Sequence, residues 1–275
     1  MRALSVLLSF LGATTLVACG DNHDHGVDPD ASADVDVDAR PPADAGIDAA
    51  STGQVTLAFD HLVDGAAITL GNDTPYLDAV GNQFGVAVVR YFIADLSLTY
   101  ADGSTWDAPG AHYVDHELSE TRTYALPPDA PVGDLATVRF VMGLPPALDV
   151  TGAFSSPPES LMEWPEMMGG GYHYMKFEGR YIDDAGAPFN FKMHSGALGG
   201  TDYSFEVVLD ADGLAVTPEG TTLRIEMNLE QWFTAPDDWD LDDYFNATHP
   251  GIMNDAAAQA SLQRNGATVF TVGQP

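Results

Sequence analysis

The residues best suited to chemistry lie between Trp164 and Gly196, in Trp164-Pro-Glu-Met-Met-Gly-Gly-Gly-Tyr-His-Tyr-Met-Lys-Phe-Glu-Gly179 and Phe191-Lys-Met-His-Ser-Gly196. One Trp, two His and four Met fall within this stretch. Imidazole nitrogen and thioether sulfur are borderline-to-soft donors that suit Cu(I) better than Mg²⁺ or Ca²⁺. Three consecutive glycines let the backbone turn sharply or pack closely between the Trp and the first His. A core strand whose His and Met merely pack is the competing explanation.

The elements that must position these donors read as short strands. Val55-Thr-Leu-Ala-Phe-Asp-His61 alternates, placing Val55, Leu57, Phe59 and His61 on one inward face. Residues 84–98 read as one long strand or two broken ones, and further strands are expected over 136–142, 172–182, 188–194, 203–209 and 221–229. Turn signals at Ala101-Asp-Gly103, Asp183-Asp-Ala-Gly186 and Asp210-Ala-Asp-Gly213 separate several of them. There is no βαβ rhythm, so the fold class is all-β, an antiparallel β-sandwich with one short C-terminal helix over 254–264. Asn254 is its expected cap and Gly266 its stop. Parity along 172–178 puts His173, Met175 and Phe177 inward, with Lys176 and Glu178 on a solvent side. His194 falls on the face of Lys192 and Asn190, opposite Met193.

The front of the chain bears on location. Residues 1–19 read as a signal peptide with one positive charge and a short apolar run. Leu16-Val-Ala-Cys19 has the lipobox pattern, in which Cys19 becomes the lipidated first residue of a bacterial outer-membrane lipoprotein. This is the only Cys in the chain, so no thiol remains for a disulfide, an Fe–S cluster or a catalytic cysteine. Residues 20–53 hold nine Asp and almost no large apolar side chain, the composition of a disordered tether. Residues 54–275 form one domain carrying 32 acidic against eight basic side chains. That field disfavours nucleic acid and anionic lipid surfaces as partners, leaving membrane contact to the lipid anchor alone.

With Phe59-Asp-His61, Val89-Arg-Tyr-Phe92, Ala94-Asp-Leu96, the Trp164–Gly179 segment, His194-Ser-Gly196, Gln231-Trp-Phe233 and the ending Asn265 to Phe270, the chain resembles the MbnP-like copper-binding family along essentially its whole body. These are exported proteins paired with a di-haem peroxidase-like enzyme. The resemblance implies Cu(I) bound by His side chains beside a Trp that the partner oxidises to kynurenine. In the family pattern that Trp is the first of a Trp-x-Trp pair. Here Trp164 holds the first position, Glu166 replaces the second Trp, and the following Gly-Tyr comes two residues late.

The expectation is therefore a non-enzymatic lipoprotein holding a single copper ion. His61 and His194 are the leading ligands, His173 is in reserve, Trp164 is within reach, and Met175 is the fallback. The alternative is a calcium-stabilised adhesion or carbohydrate-binding module. Asp237-Asp-Trp-Asp-Leu-Asp-Asp243 packs five carboxylates into seven residues beside aromatics that could stack on a sugar. No Gly-x-Ser-x-Gly or His-Glu-x-x-His pattern supports a hydrolase.

Overall fold

The computed structural model describes residues 51–275. The expected signal peptide, Cys19 and nearly all of the tether lie outside the described residues.

Nine principal strands build the body: β1 (Val55–Val63), β2 (Gln83–Tyr100), β3 (Thr105–Asp115), β4 (Gly133–Met142), β5 (His173–Ile182), β6 (Pro188–Gly196), β7 (Phe205–Asp210), β8 (Thr221–Asn228) and β9 (Phe270–Gly273). Two helices, α1 (Leu241–Tyr244) and α2 (Ala256–Gly266), complete it. The architecture is an all-β sandwich with a short C-terminal helix. In the larger sheet β2 is the spine. β5 pairs with its first half and β4 with its second, while β3 runs along the other edge. β6 extends the sheet beyond β5 and β7 extends it beyond β4. The smaller sheet runs β9-β8-β1.

The 84–98 segment is thus one continuous strand that bends rather than breaks. Asp95 sits at φ 49°, and the pairing with β3 slips between Ala94 and Leu96. Such a bulge increases local twist, letting one strand serve two neighbours on the same edge. One ladder departs from the antiparallel rule: β8 pairs parallel to β1, from Thr221 opposite Val55 to Asn228 opposite Leu62. The core between the sheets holds Phe59, Tyr91, Phe140, Phe177, Phe191, Trp232, Phe233 and Phe270, all buried.

The cap of α2 is Asp255, not Asn254. Its side chain accepts from the Ala257 and Ala258 amides, and Gly266 is the last helical residue rather than a stop beyond it. The acidic run of the calcium alternative is built into the fold. Trp239 is fully buried, stacks on Tyr244 at 3.9 Å and donates to Ser261, and Phe245 is buried beside them. Three of the run's five carboxylates have separate tasks: Asp237 to Ser261 and Arg264, Asp240 to the first turn of α1 and to Asn82, and Asp242 to the Asp184 amide. Trp239 and Phe245 offer no open face for a sugar, and Tyr244 is half-buried.

Candidate metal centre

The outer face of the larger sheet is not the solvent face that the Lys176–Glu178 alternation implies. The connection from Gly143 to Tyr172 folds over it. Phe92, Tyr113, Leu144, Met162, Tyr172 and Tyr174 form a second, smaller apolar cluster there. Lys176 itself donates Nζ to the Leu161 carbonyl at 2.7 Å. A charged side chain can lie beneath such a cover because its apolar stem packs while its head finds a carbonyl.

Trp164 hangs from this connection into the sheet. Its amide donates to the Gly171 carbonyl at 2.8 Å, closing a turn through Gly169, Gly170 and Gly171, which all have positive φ (123°, 71° and 83°). Only glycine adopts three such conformations in succession without strain, so the triple glycine returns the chain from the indole to His173. The indole settles against β6 where Gly196 offers no side chain. A Cβ there would lie 2.8 Å from Trp164 Cε3.

His173 faces this pocket because of a β-bulge. The β5–β6 register slips between His173 and Met175, making Tyr174 the extra residue. His173 therefore leaves the Met175 face and meets Trp164 (ring centroids 4.7 Å apart) and His194 (4.9 Å, rings at 87°). Met175 stays in the main core opposite Tyr91, which removes it as a fallback partner of His173. His194 lies opposite Lys176 in register, on the face expected for it.

Both imidazoles are anchored on one nitrogen and bare on the other. His173 Nδ1–H donates to the Met162 carbonyl at 2.8 Å, and its Nε2 is buried with no partner. His194 Nε2–H donates to Glu178 Oε1 at 2.8 Å, and its Nδ1 is likewise buried and unpartnered. The acceptors fix the tautomers, since neither a carbonyl nor a carboxylate can donate. Trp164 Nε1 is also buried without a partner. Burial brings His173 down to about 3, helped by the nearby Lys176 cation. Burial also lowers His194, although the Glu178 hydrogen bond opposes it. That same bond holds the Glu178 carboxyl below its ordinary value. At neutral pH the site offers two uncharged imidazoles backed by an ionised carboxylate.

His61 lies elsewhere. It alternates inward on β1 as expected, but Tyr91 and Met175 share the opposite face of the larger sheet from Lys176 and His194. His61 and His194 therefore do not meet. The partners of His61 are His116, with Nδ1 to Nδ1 at 3.0 Å, and Tyr91, with Nε2 to the hydroxyl at 3.2 Å. Burial, the His116 ring and Arg122 together hold His61 down to about 3. Sequence reasoning passed over His116. Its signal was parity, because it lies two residues past the inward-facing Val114 at the end of β3. Among the described residues no group of three or more His, Cys, Asp or Glu is arranged to hold a metal ion, so both centres are pairs.

Comparison with known proteins agrees with this architecture. MbnP from Methylosinus trichosporium superposes with a TM-score of 0.53 at 15% sequence identity, over 81% of this chain and 99% of that one. At this identity the likeness concerns the fold. No curated protein sequence matches the chain. The MbnP family model matches residues 52–254, from the residues just before β1 to the threshold of α2. The chain belongs to the MbnP family.

Proposed function

We propose that this protein is an exported lipoprotein of the bacterial envelope that binds copper as Cu(I) through His173 and His194 beside Trp164. It would serve copper acquisition or homeostasis without catalysing a reaction itself. The observation that carries the reading is the pair of buried, unpartnered imidazole nitrogens. A buried acceptor without a partner costs about 1–3 kcal/mol, and two in touching rings are a poor arrangement unless something else occupies them. Metal-ligating His characteristically gives its second ring N–H to a carbonyl or carboxylate, as Met162 and Glu178 receive them here. A two-nitrogen donor set without a third ligand fits Cu(I) better than Zn²⁺, which takes four ligands.

Trp164 is 1% exposed, so a di-haem partner that oxidises it acts by drawing electrons through the protein rather than by touching the ring. Opening the indole, with the electrons passing to the partner, the oxygen supplied by water and the ring C2 leaving as formate, replaces an N–H that has no acceptor with an aromatic amine and a ketone, new donors beside the His pair. With Glu166 in place of a second Trp, an electron route to the partner must use other residues. Intact-mass and peptide analysis of native protein reads the outcome directly. Membrane attachment rests on Cys19, and Cys19→Ser is expected to move the protein into the soluble fraction.

The test of the copper site is an anaerobic Cu(I) titration of the full chain, prepared without the di-haem partner so that Trp164 keeps its indole, against a chromophoric chelator, with Trp fluorescence followed in parallel. Trp164→Phe identifies the quenched fraction. His173→Ala and His194→Ala should each abolish the Trp164-quenching equivalent, whereas exposed His249→Ala should not. Full quenching in both of the first two variants would refute the assignment.

A further inference from the structure

The His61–His116 pair lies on the other face of the larger sheet, where the Trp164 centre makes no use of it. We propose that it is a second, separate site for a soft monovalent metal ion, Cu(I) in a cell that handles copper. It does not depend on the first centre.

Its geometry is that of two donors aimed at one point. The two Nδ1 atoms face each other at 3.0 Å, with rings at 74° and centroids 5.0 Å apart. Without an ion, one Nδ1–H donates to the other. An ion takes the place of that proton once the nitrogens part by about 1 Å, since each metal–imidazole bond is about 2 Å long. His61 is fixed, being 1% exposed within a paired strand and opposite Met227. His116 can supply the movement because it is only half-buried and follows the last residue of β3. Its backbone is held by the bond from its amide to the Val89 carbonyl.

Tyr91 makes the exchange feasible. Its hydroxyl, 3.2 Å from His61 Nε2, donates when the ring proton sits on Nδ1 and accepts when that proton moves to Nε2. This is the role of the outer partner that orients a metal-bound imidazole. No proton need leave the protein. The class of ion follows from the surroundings. Arg122 lies close enough to oppose protonation of both rings, and it equally disfavours a second positive charge. The pair has no third His, Cys, Asp or Glu to complete a Zn²⁺ site among the described residues.

The test uses the full chain with Cu(I) under anaerobic conditions, and Ag(I) as a redox-silent stand-in, counting bound ions by native mass spectrometry. Wild type should hold two ions. His61→Ala and His116→Ala should each hold one, with Trp164 still quenched, and near-UV circular dichroism should stay unchanged for the half-buried His116→Ala. Tyr91→Phe should keep two ions but bind the second about 10–100-fold more weakly. His173→Ala with His194→Ala should leave one ion that does not quench Trp164. If wild type holds a single ion that survives His116→Ala, the pair is a hydrogen bond and the proposal fails. If the single ion vanishes with His116→Ala, the proposal stands and the Trp164 reading falls.

Discussion

Gln259 on α2 reaches the backbone of β6 and donates Nε2 to the His194 carbonyl at 2.7 Å, while its Oε1 accepts from the Gly196 amide at 3.3 Å. β6 is an edge strand of the larger sheet, so these groups would otherwise have no ladder partner. Gln259 is fully buried and also donates to the Ile252 carbonyl. One helix side chain thus fixes both the residue that offers an imidazole and the glycine against which Trp164 lies. Gln259→Leu should destabilise the fold by about 1–3 kcal/mol, because it strands buried backbone groups. It should also weaken Cu(I) binding at the Trp164 centre while leaving the His61–His116 pair intact. Denaturant unfolding and Cu(I) titration measure the two effects separately.

Glu178 receives the His194 N–H at 2.8 Å and sets that ring's tautomer. Glu178→Gln can offer its amide oxygen to the same N–H but lacks the charge that raises ligand basicity. Loss of about 10–100-fold in Cu(I) affinity at the Trp164 centre is expected, with little change in stability. An unchanged affinity would mean that His194 does not hold the ion.

The sandwich was legible because β1, β5 and β8 alternate cleanly, burying every second residue along most of their length. The site was legible only in part. Trp164, His173 and His194 were identified by residue type and do come together. Strict alternation put His173 with Met175, and only the register slip at Tyr174 turns it toward His194. A bulge is a property of two paired strands, so one strand's pattern does not reveal it. The cover over Lys176 was hidden for a similar reason, since the Gly143–Tyr172 connection has no periodicity. The parallel β1–β8 ladder joins segments more than 150 residues apart, and nothing local encodes that pairing.

Gly196→Ala tests the seat of the indole. The added methyl would sit 2.8 Å from Trp164 Cε3 and 3.1 Å from the Tyr172 carbonyl oxygen, so the rigid ring and the backbone must both shift. Overpacking of this kind costs about 1–3 kcal/mol. Thermal unfolding should register the loss, and the Trp164 component of the fluorescence should change in wavelength as the ring leaves its dry pocket. An unshifted spectrum at full stability would show that β6 yields more readily than its clamp by Gln259 implies.

Buried neutral histidines also set the response to acid. His61 and His173 are each held down to about 3, against about 6.5 in an unfolded chain. Between those values the unfolded chain binds protons that the folded metal-free protein refuses, so stability falls as pH falls. The loss begins near pH 6.5, continues towards pH 3, and is absent above pH 7. Each ring contributes a slope of up to about 1.4 kcal/mol per pH unit, before relaxation of the fold reduces it. Urea midpoints of metal-free protein should therefore be lower at pH 5 than at pH 7, and equal at pH 7 and pH 8. His61→Phe keeps an apolar ring and removes one titrating group, so its midpoint should depend less steeply on pH than that of wild type. Equal slopes for the two proteins would mean that His61 charges within the fold, and its packing against Tyr91 and His116 would then be looser than the distances describe.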